Sequence, residues 1–151
     1  MQRFFISIGS NIRPEENIPQ GLKQLQKCFS IEKTSSIYET TPVGTDSESN
    51  FWNLAVSILT SLPKAKIEEQ LREIEKKIGR KRDPHDKFAP RTIDLDLLPQ
   101  PNYQKLGFII IPLAEIEPEY QDPETGKTFS ELAACIALKE TIVRKMAGNF
   151  K

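Results

Sequence analysis

The sequence predicts an α+β fold in which helices cover one face of an antiparallel sheet. Three observations predict it. Short apolar runs of strand length alternate with two longer stretches whose apolar residues recur at helical spacing. The order is strand, helix, strand, strand, helix, strand, then a mixed C-terminal part. No internal repeat, low-complexity tract or linker interrupts the 151 residues, so residues 1–151 are expected to form a single domain.

Residues 4 to 8, FFISI, read as a buried strand that ends at the turn signal Gly9-Ser10-Asn11. Ile18, Leu22, Leu25 and Phe29 fall on one face of a helix, with Pro19 near its first turn, where a missing N–H costs little. Residues 31 to 38, IEKTSSIY, suit one strand with a wet face. TTPVGTDSESN, 40 to 50, is a loop by composition, and WNLAVSILT, 52 to 60, a second strong strand. Pro63 opens the clearest helix: Ile67, Leu71, Ile74 and Ile78 form its stripe and Gly79 its end. A basic loop, 80 to 90, leads to the strand RTIDLDLL. FIIIPLAEI, 108 to 116, reads as a strand running into a helical turn. Residues 128 to 146 read as a final helix with Phe129, Leu132, Ala133 and Ile136 on its apolar side. This order is the split βαβ pattern of ferredoxin-like α+β folds.

Acids and bases balance, 21 against 21, so no global field draws in nucleic acid or an anionic membrane. No apolar run reaches the roughly 20 residues of a membrane span, and MQRFFISIGSN lacks the long apolar stretch and cleavage site of a signal peptide. A cytoplasmic protein, monomeric and acting on small molecules, is the expectation. Cys28 and Cys135 are expected as core thiols, one in each of two helices. A single histidine, His85, leaves no second histidine for a histidine zinc cluster.

RTIDLD, residues 91 to 96, carries the chemistry. Side chains two apart on a strand share a face, so Asp94 and Asp96 point the same way, with Cα atoms roughly 6.5–7 Å apart. Leu95 and Leu97 point the other way, into a core. Two carboxylates on one face repel unless a cation neutralises them. Mg²⁺ does so well, being a hard ion usually held by one or two carboxylates plus waters and phosphates. A bare D-x-D pattern is common, and two acids on a wet strand face are its ordinary reading. The neighbourhood argues otherwise. From Lys76 to Arg91 stand Lys76, Lys77, Arg80, Lys81, Arg82, Lys87 and Arg91, against Asp83 and Asp86. A basic helix end accounts for the first of these, but not for Arg82 and Arg91. Arginines beside paired metal-ligating carboxylates suit polyphosphate chemistry. Gly126-Lys127-Thr128 is not the end of a Gly-rich phosphate loop, because Gln121 occupies the position that needs a glycine; a turn before the last helix is the better reading.

GSN after the first strand, YETTPVG, FWNLAV, the E-x-x-x-G-R-x-R run from Glu75 to Arg82, and PRTIDLDLL occur in this order over about residues 3 to 120. Together they resemble the 6-hydroxymethyl-7,8-dihydropterin pyrophosphokinase family of the folate pathway. The resemblance implies a ferredoxin-like fold and transfer of pyrophosphate from ATP to the hydroxymethyl group of a reduced pterin, with AMP released. It implies that Asp94 and Asp96 ligate two Mg²⁺ ions and that Arg80, Arg82 and Arg91 hold phosphates, Arg82 from a loop that closes over the substrates. Glu75 and Arg72 would belong to the nucleotide side. Asn53 would hydrogen-bond the pterin edge, with the backbone around Thr40 and Val43 assisting, and Phe51 and Phe108 would sandwich the ring. A flat heteroaromatic ring suits two aromatic walls, and its amide-like edge suits an Asn, which donates and accepts. Without the resemblance, core packing is the preferred reading of both phenylalanines.

The sequence departs from the family's pattern after the D-L-D strand. The segment is shorter, Gln100 stands for an expected His and Leu106 for an expected Arg. Phe88 and Ala89 stand for an aromatic, often Trp, and a Gly, and Arg72 for a Gln. ATP is therefore expected to bind more weakly than is usual for such a family. A non-catalytic pterin- or nucleotide-binding paralogue is the alternative that the sequence leaves open, and a diphosphokinase with another hydroxymethyl substrate is a third.

Overall fold

The computed structural model describes residues 1–40, 50–79, 92–136 and 142–146. The elements are β1 (Gln2–Ser10), α1 (Pro14–Cys28), β2 (Ser30–Thr34), β3 (Ile37–Thr40), β4 (Phe51–Thr60), α2 (Lys64–Ile78), β5 (Asp94–Leu97), a 3₁₀ turn (Tyr103–Lys105), α3 (Gly107–Ile116), α4 (Phe129–Ile136) and β6 (Ile142–Met146). The sheet runs β5-β1-β4-β3-β6, with β2 also on β4, and its strand pairs are antiparallel. Taking β2 and β3 as one broken strand, this is the expected ferredoxin-like order with β6 added at one edge. Among the described residues no helix is long and apolar enough to cross a membrane.

Strand alternation divides the sheet's side chains between two cores. Ile6, Ile8, Leu54, Val56, Ile58, Leu95 and Leu97 face α1 and α2, meeting Ile18, Leu22, Leu25, Ile67, Leu71 and Ile74. Phe5, Ala55 and Leu98 face the other way and pack with Tyr103, α3 and α4. Helices therefore lie on both faces, where one covered face was expected. Glu115 docks α3: its carboxylate accepts hydrogen bonds from the Tyr38 hydroxyl (2.5 Å) and the Ser36 backbone N–H (2.8 Å).

Several boundaries differ from the sequence reading. α1 begins at Pro14, so Pro14 and not Pro19 is the proline of the first turn, and Pro19 lies inside the helix. The single strand over 31–38 is two. At the break, the Ser35 hydroxyl accepts the Ala55 N–H at 2.9 Å and donates to the Ser36 carbonyl, so a side chain takes over ladder bonding. FIIIPLAEI is helical from the start. Its apolar run is nearly continuous, which hides the helical spacing of the buried Ile109, Leu113 and Ile116. The expected helix over 128–146 stops at Ile136 in the described residues, and Ile142–Met146 is a strand on β3. Thr128 and Glu131 form a reciprocal capping box at α4, and Gly126 at φ 73° makes the turn before it. Cys28 and Cys135 are free and exposed, not core thiols.

Candidate active site

Asp94 and Asp96 stand on β5, an edge strand, with intermediate exposure, while the intervening Leu95 and the following Leu97 are buried. The two acids thus share the face away from α1 and α2. Register carries that face across the sheet: Asp94 lies beside Gly9 of β1, Gly9 beside Asn53 of β4, and Asn53 beside Tyr38 of β3. In the neighbouring row Asp96 lies beside Ser7 and Ser7 beside Ala55. Thr40 lies opposite Phe51 on the same face. The buried Asn53 donates from Nδ2 to Thr40 Oγ1 at 2.9 Å, so two of the proposed pterin-edge residues form one polar unit. Gly9 makes room for it, because a Cβ there would sit 3.0 Å from Asn53 Oδ1. Phe51 is half-buried, and Phe108 is half-buried in the first turn of α3 against the second core.

The entry to β5 is fixed by Ser10, buried at the end of β1, whose hydroxyl donates to the Thr92 carbonyl at 2.7 Å. The outer edge of β5 is capped by α2. Leu95 directs both backbone polar groups away from β1: its N–H donates to Glu75 Oε2 at 2.8 Å, and its carbonyl accepts from Arg72 Nη2. Arg72 Nη1 lies 2.9 Å from Glu75 Oε1, and Nη2 lies 3.7 Å from Asp96 Oδ1. Gln100 Nε2 donates to the next outward carbonyl, that of Leu97, at 2.8 Å. Capping of this kind stops an exposed strand edge from templating association. Arg72, Glu75 and Gln100 thus have structural roles independent of any ligand.

The donor set suits Mg²⁺. Among the described residues no three of His, Cys, Asp or Glu gather as a cage. Two carboxylates sharing a face, with open positions for water and phosphate, are what Mg²⁺ takes. Glu75 Oε1 lies on Arg72 and Oε2 on the Leu95 N–H. Burial, then the bond to Glu115, pushes the Tyr38 phenol well above its usual range, so it remains a donor and a fixed anchor for α3.

Asp94, Asp96, Asn53, Thr40 and Phe51 share one face, and Arg72 and Glu75 reach its edge from α2. Leu106 packs against the second core. Val43, Arg80, Arg82 and Arg91 lie outside the described residues, as do His85, Phe88 and Ala89. Sequence reasoning did not single out Gly9, Ser10 or Glu115 as site-builders. The GSN turn signal was the available clue to the first two, and Glu115 gave none, because its partners are some 77 residues away.

Residues 5–118 match the family described as 7,8-dihydro-6-hydroxymethylpterin-pyrophosphokinase (HPPK). A 2-amino-4-hydroxy-6-hydroxymethyldihydropteridine pyrophosphokinase of Aquifex aeolicus is 30% identical over 146 residues, covering 87% of this chain and 90% of that protein. A protein of the same name from Bacillus subtilis is 36% identical over 129 residues, covering 74% and 76% of the two chains. One from Synechocystis is 32% identical over 144 residues, covering 84% and 72%. The match spans β1 through α3, the stretch that carries both the carboxylate pair and the Asn53–Thr40 unit, and the chain belongs to the 7,8-dihydro-6-hydroxymethylpterin-pyrophosphokinase family.

Proposed function

We propose that the protein transfers the pyrophosphoryl group of ATP to the hydroxymethyl oxygen of 6-hydroxymethyl-7,8-dihydropterin, a step of folate biosynthesis. The hydroxymethyl oxygen attacks the β-phosphorus in line. The new C–O–P bond forms as the bond from the β-phosphorus to the bridging oxygen breaks, AMP leaves with that electron pair, and the hydroxyl proton is lost. The observation that carries this reading is the placement of Asp94 and Asp96 on one face, one register step across Gly9 from Asn53. Asn53 and Thr40, with the backbone at Val43, orient the pterin edge, and Phe51 and Phe108 hold its faces. Arg72, Glu75, Arg80, Arg82 and Arg91 form the nucleotide side. Two Mg²⁺ ions on Asp94 and Asp96 would supply charge neutralisation at the phosphates when bound. Rate then comes from positioning and electrostatics, with no protein nucleophile. We take the protein to act as a cytoplasmic monomer of one domain, on small molecules alone, without nucleic acid or membrane.

The test is to mix protein, Mg²⁺, ATP and the pterin and to measure AMP. AMP that forms only with metal and acceptor both present is the expected result. Pterin binding without AMP would replace the enzyme by a non-catalytic binding protein.

A further inference from the structure

The structure assigns to Arg72 a task beyond nucleotide contact: we propose that it is a built-in counter-cation of the carboxylate pair, holding Asp96 in place before a divalent cation arrives and competing with that cation for it. The inference rests on the metal reading of Asp94 and Asp96 proposed above.

Arg72 is anchored on α2, behind the strand, and its guanidinium reaches round the edge of β5. One branch is held by Glu75 Oε1 at 2.9 Å; the other donates to the Leu95 carbonyl and lies 3.7 Å from Asp96 Oδ1. Glu75 is in turn fixed on the Leu95 N–H at 2.8 Å. The planar fork is thus clamped by Glu75 and the Leu95 carbonyl; the Glu75 carboxylate offsets part of its charge, and Nη2 is held 3.7 Å from Asp96 Oδ1. A lysine ammonium, a point charge on a flexible stem, could not meet these partners with the same geometry. Two like charges on one strand face raise each other's energy, and a fixed cation at their edge lowers it. The Asp96 oxygen that faces Arg72 is therefore already partly neutralised, and a divalent cation must displace that interaction to use it. Arg72 and Asp96 have side-chain exposures of 42% and 44%, so water screens the pair and the competition is modest. Arg72 acts through Asp96 and is a positioning residue.

The test is binding of Mn²⁺ alone, without ATP or pterin, followed by paramagnetic relaxation of water in wild type, Arg72→Gln, Arg72→Lys and Asp96→Asn. Arg72→Gln should bind Mn²⁺ about two- to five-fold more tightly than wild type at low ionic strength, the range expected for a partly exposed ion pair. The difference should shrink toward none in about 0.5 M KCl. Arg72→Lys keeps the charge but loses the clamped fork, and its Mn²⁺ affinity should fall between those of wild type and Arg72→Gln. If glutamine does not fold, Arg72→Met keeps the stem's packing and gives the same comparison. An Arg72→Gln protein that melts lower but binds Mn²⁺ no more tightly would overturn the proposal and leave Arg72 as an edge cap. Failure of both proteins to bind Mn²⁺ would also overturn it. Asp96→Asn isolates the underlying reading: Mn²⁺ affinity unchanged in that variant would remove the metal site itself, whatever the Arg72 variants do.

Discussion

At the scale of single residues, Asp96 should matter for turnover and hardly at all for folding. It faces away from the first core, and its ion pair with Arg72 is half-exposed, the kind that contributes roughly 0–1 kcal/mol. Asp96→Ala should therefore melt within a few degrees of wild type while AMP formation falls by at least about 10²-fold, the scale for losing one preorganised electrostatic group. A variant with near-normal rate would reject the carboxylate as a metal ligand. Gly9 is the complementary case. A methyl group at Gly9 would sit 3.0 Å from Asn53 Oδ1, so the amide would have to give by a few tenths of an ångström and its alignment on Thr40 would suffer. Losing one pterin-edge hydrogen bond is worth roughly tenfold in affinity, so Gly9→Ala should weaken pterin binding by about that factor while Mn²⁺ binding persists. Calorimetric titration with pterin checks this, and unchanged affinity would place the ring elsewhere. The carboxylate pair was legible because a period of two is local geometry. Gly9 was not, because its neighbours on either side come from 44 and 85 positions along the chain. The cysteines misled for a related reason. Helical spacing told which side of α1 was apolar, but not that Cys28 sits where the helix borders an outer groove with Gln24, Lys66 and Lys77.

At the scale of elements, the edge strand is the piece whose order depends on its neighbour. The Leu95 amide points away from β1 and finds its acceptor in Glu75. It should exchange slowly with solvent in the wild type despite lying on an edge. Glu75→Ala should speed Leu95 exchange selectively, by local opening and not through global unfolding, with α1 and β4 amides unchanged. A uniform acceleration across the sheet would mean that Glu75 supports the whole fold; no change at Leu95 would mean that water or another group serves that amide. Elements with a one-sided stripe were legible in the sequence: α1, α2 and β4 are where they were expected, to within a few residues. The C-terminal third was not. α3 is buried on most of its surface, so it shows no stripe, and Ile109 to Ile111 look like a strand. β6 is a strand because β3 offers it an open edge, and no local pattern in 142–146 distinguishes that from a helix carrying on past Ile136.

At the scale of the whole molecule, the second layer of helices hangs on one buried acid, and that makes the protein's acid limit predictable. Asp122 is 1% exposed. It accepts from the Tyr103 hydroxyl, from Gln104 and from both the N–H and the hydroxyl of Thr125. These bonds join the 3₁₀ turn that leads into α3 to the turn that leads into α4, over the aromatic cluster of Phe5, Tyr103, Tyr120 and Phe129. Burial pushes the Asp122 carboxyl up, but the hydrogen bonds from Tyr103, Thr125 and Gln104 outweigh it and hold the group below its ordinary value. Burial, then Asp122 itself, pushes the Tyr103 phenol above its usual range, so Tyr103 stays a donor throughout. A carboxyl whose folded value is depressed adds stability that is fully present above its unfolded value, about 3.9, and is lost as pH falls through the folded value. Asp122→Asn keeps the shape but removes the charge and turns one acceptor into a donor facing donors. At pH 7 it should cost about 2–3 kcal/mol, the scale of hydrogen bonds to a charged group. As pH falls from the unfolded value toward the depressed folded value, that gap should narrow. Urea unfolding of both proteins at neutral pH and at about pH 3 measures the two gaps. Equal gaps at both would show that shape, and not charge, makes Asp122 the joint between the helices of the second layer. Mn²⁺ binding should be unaffected at neutral pH, because the strand that carries the carboxylate pair is held by its pairing with β1 and by Glu75 and Arg72 of α2, and not by the hydrogen bonds of Asp122.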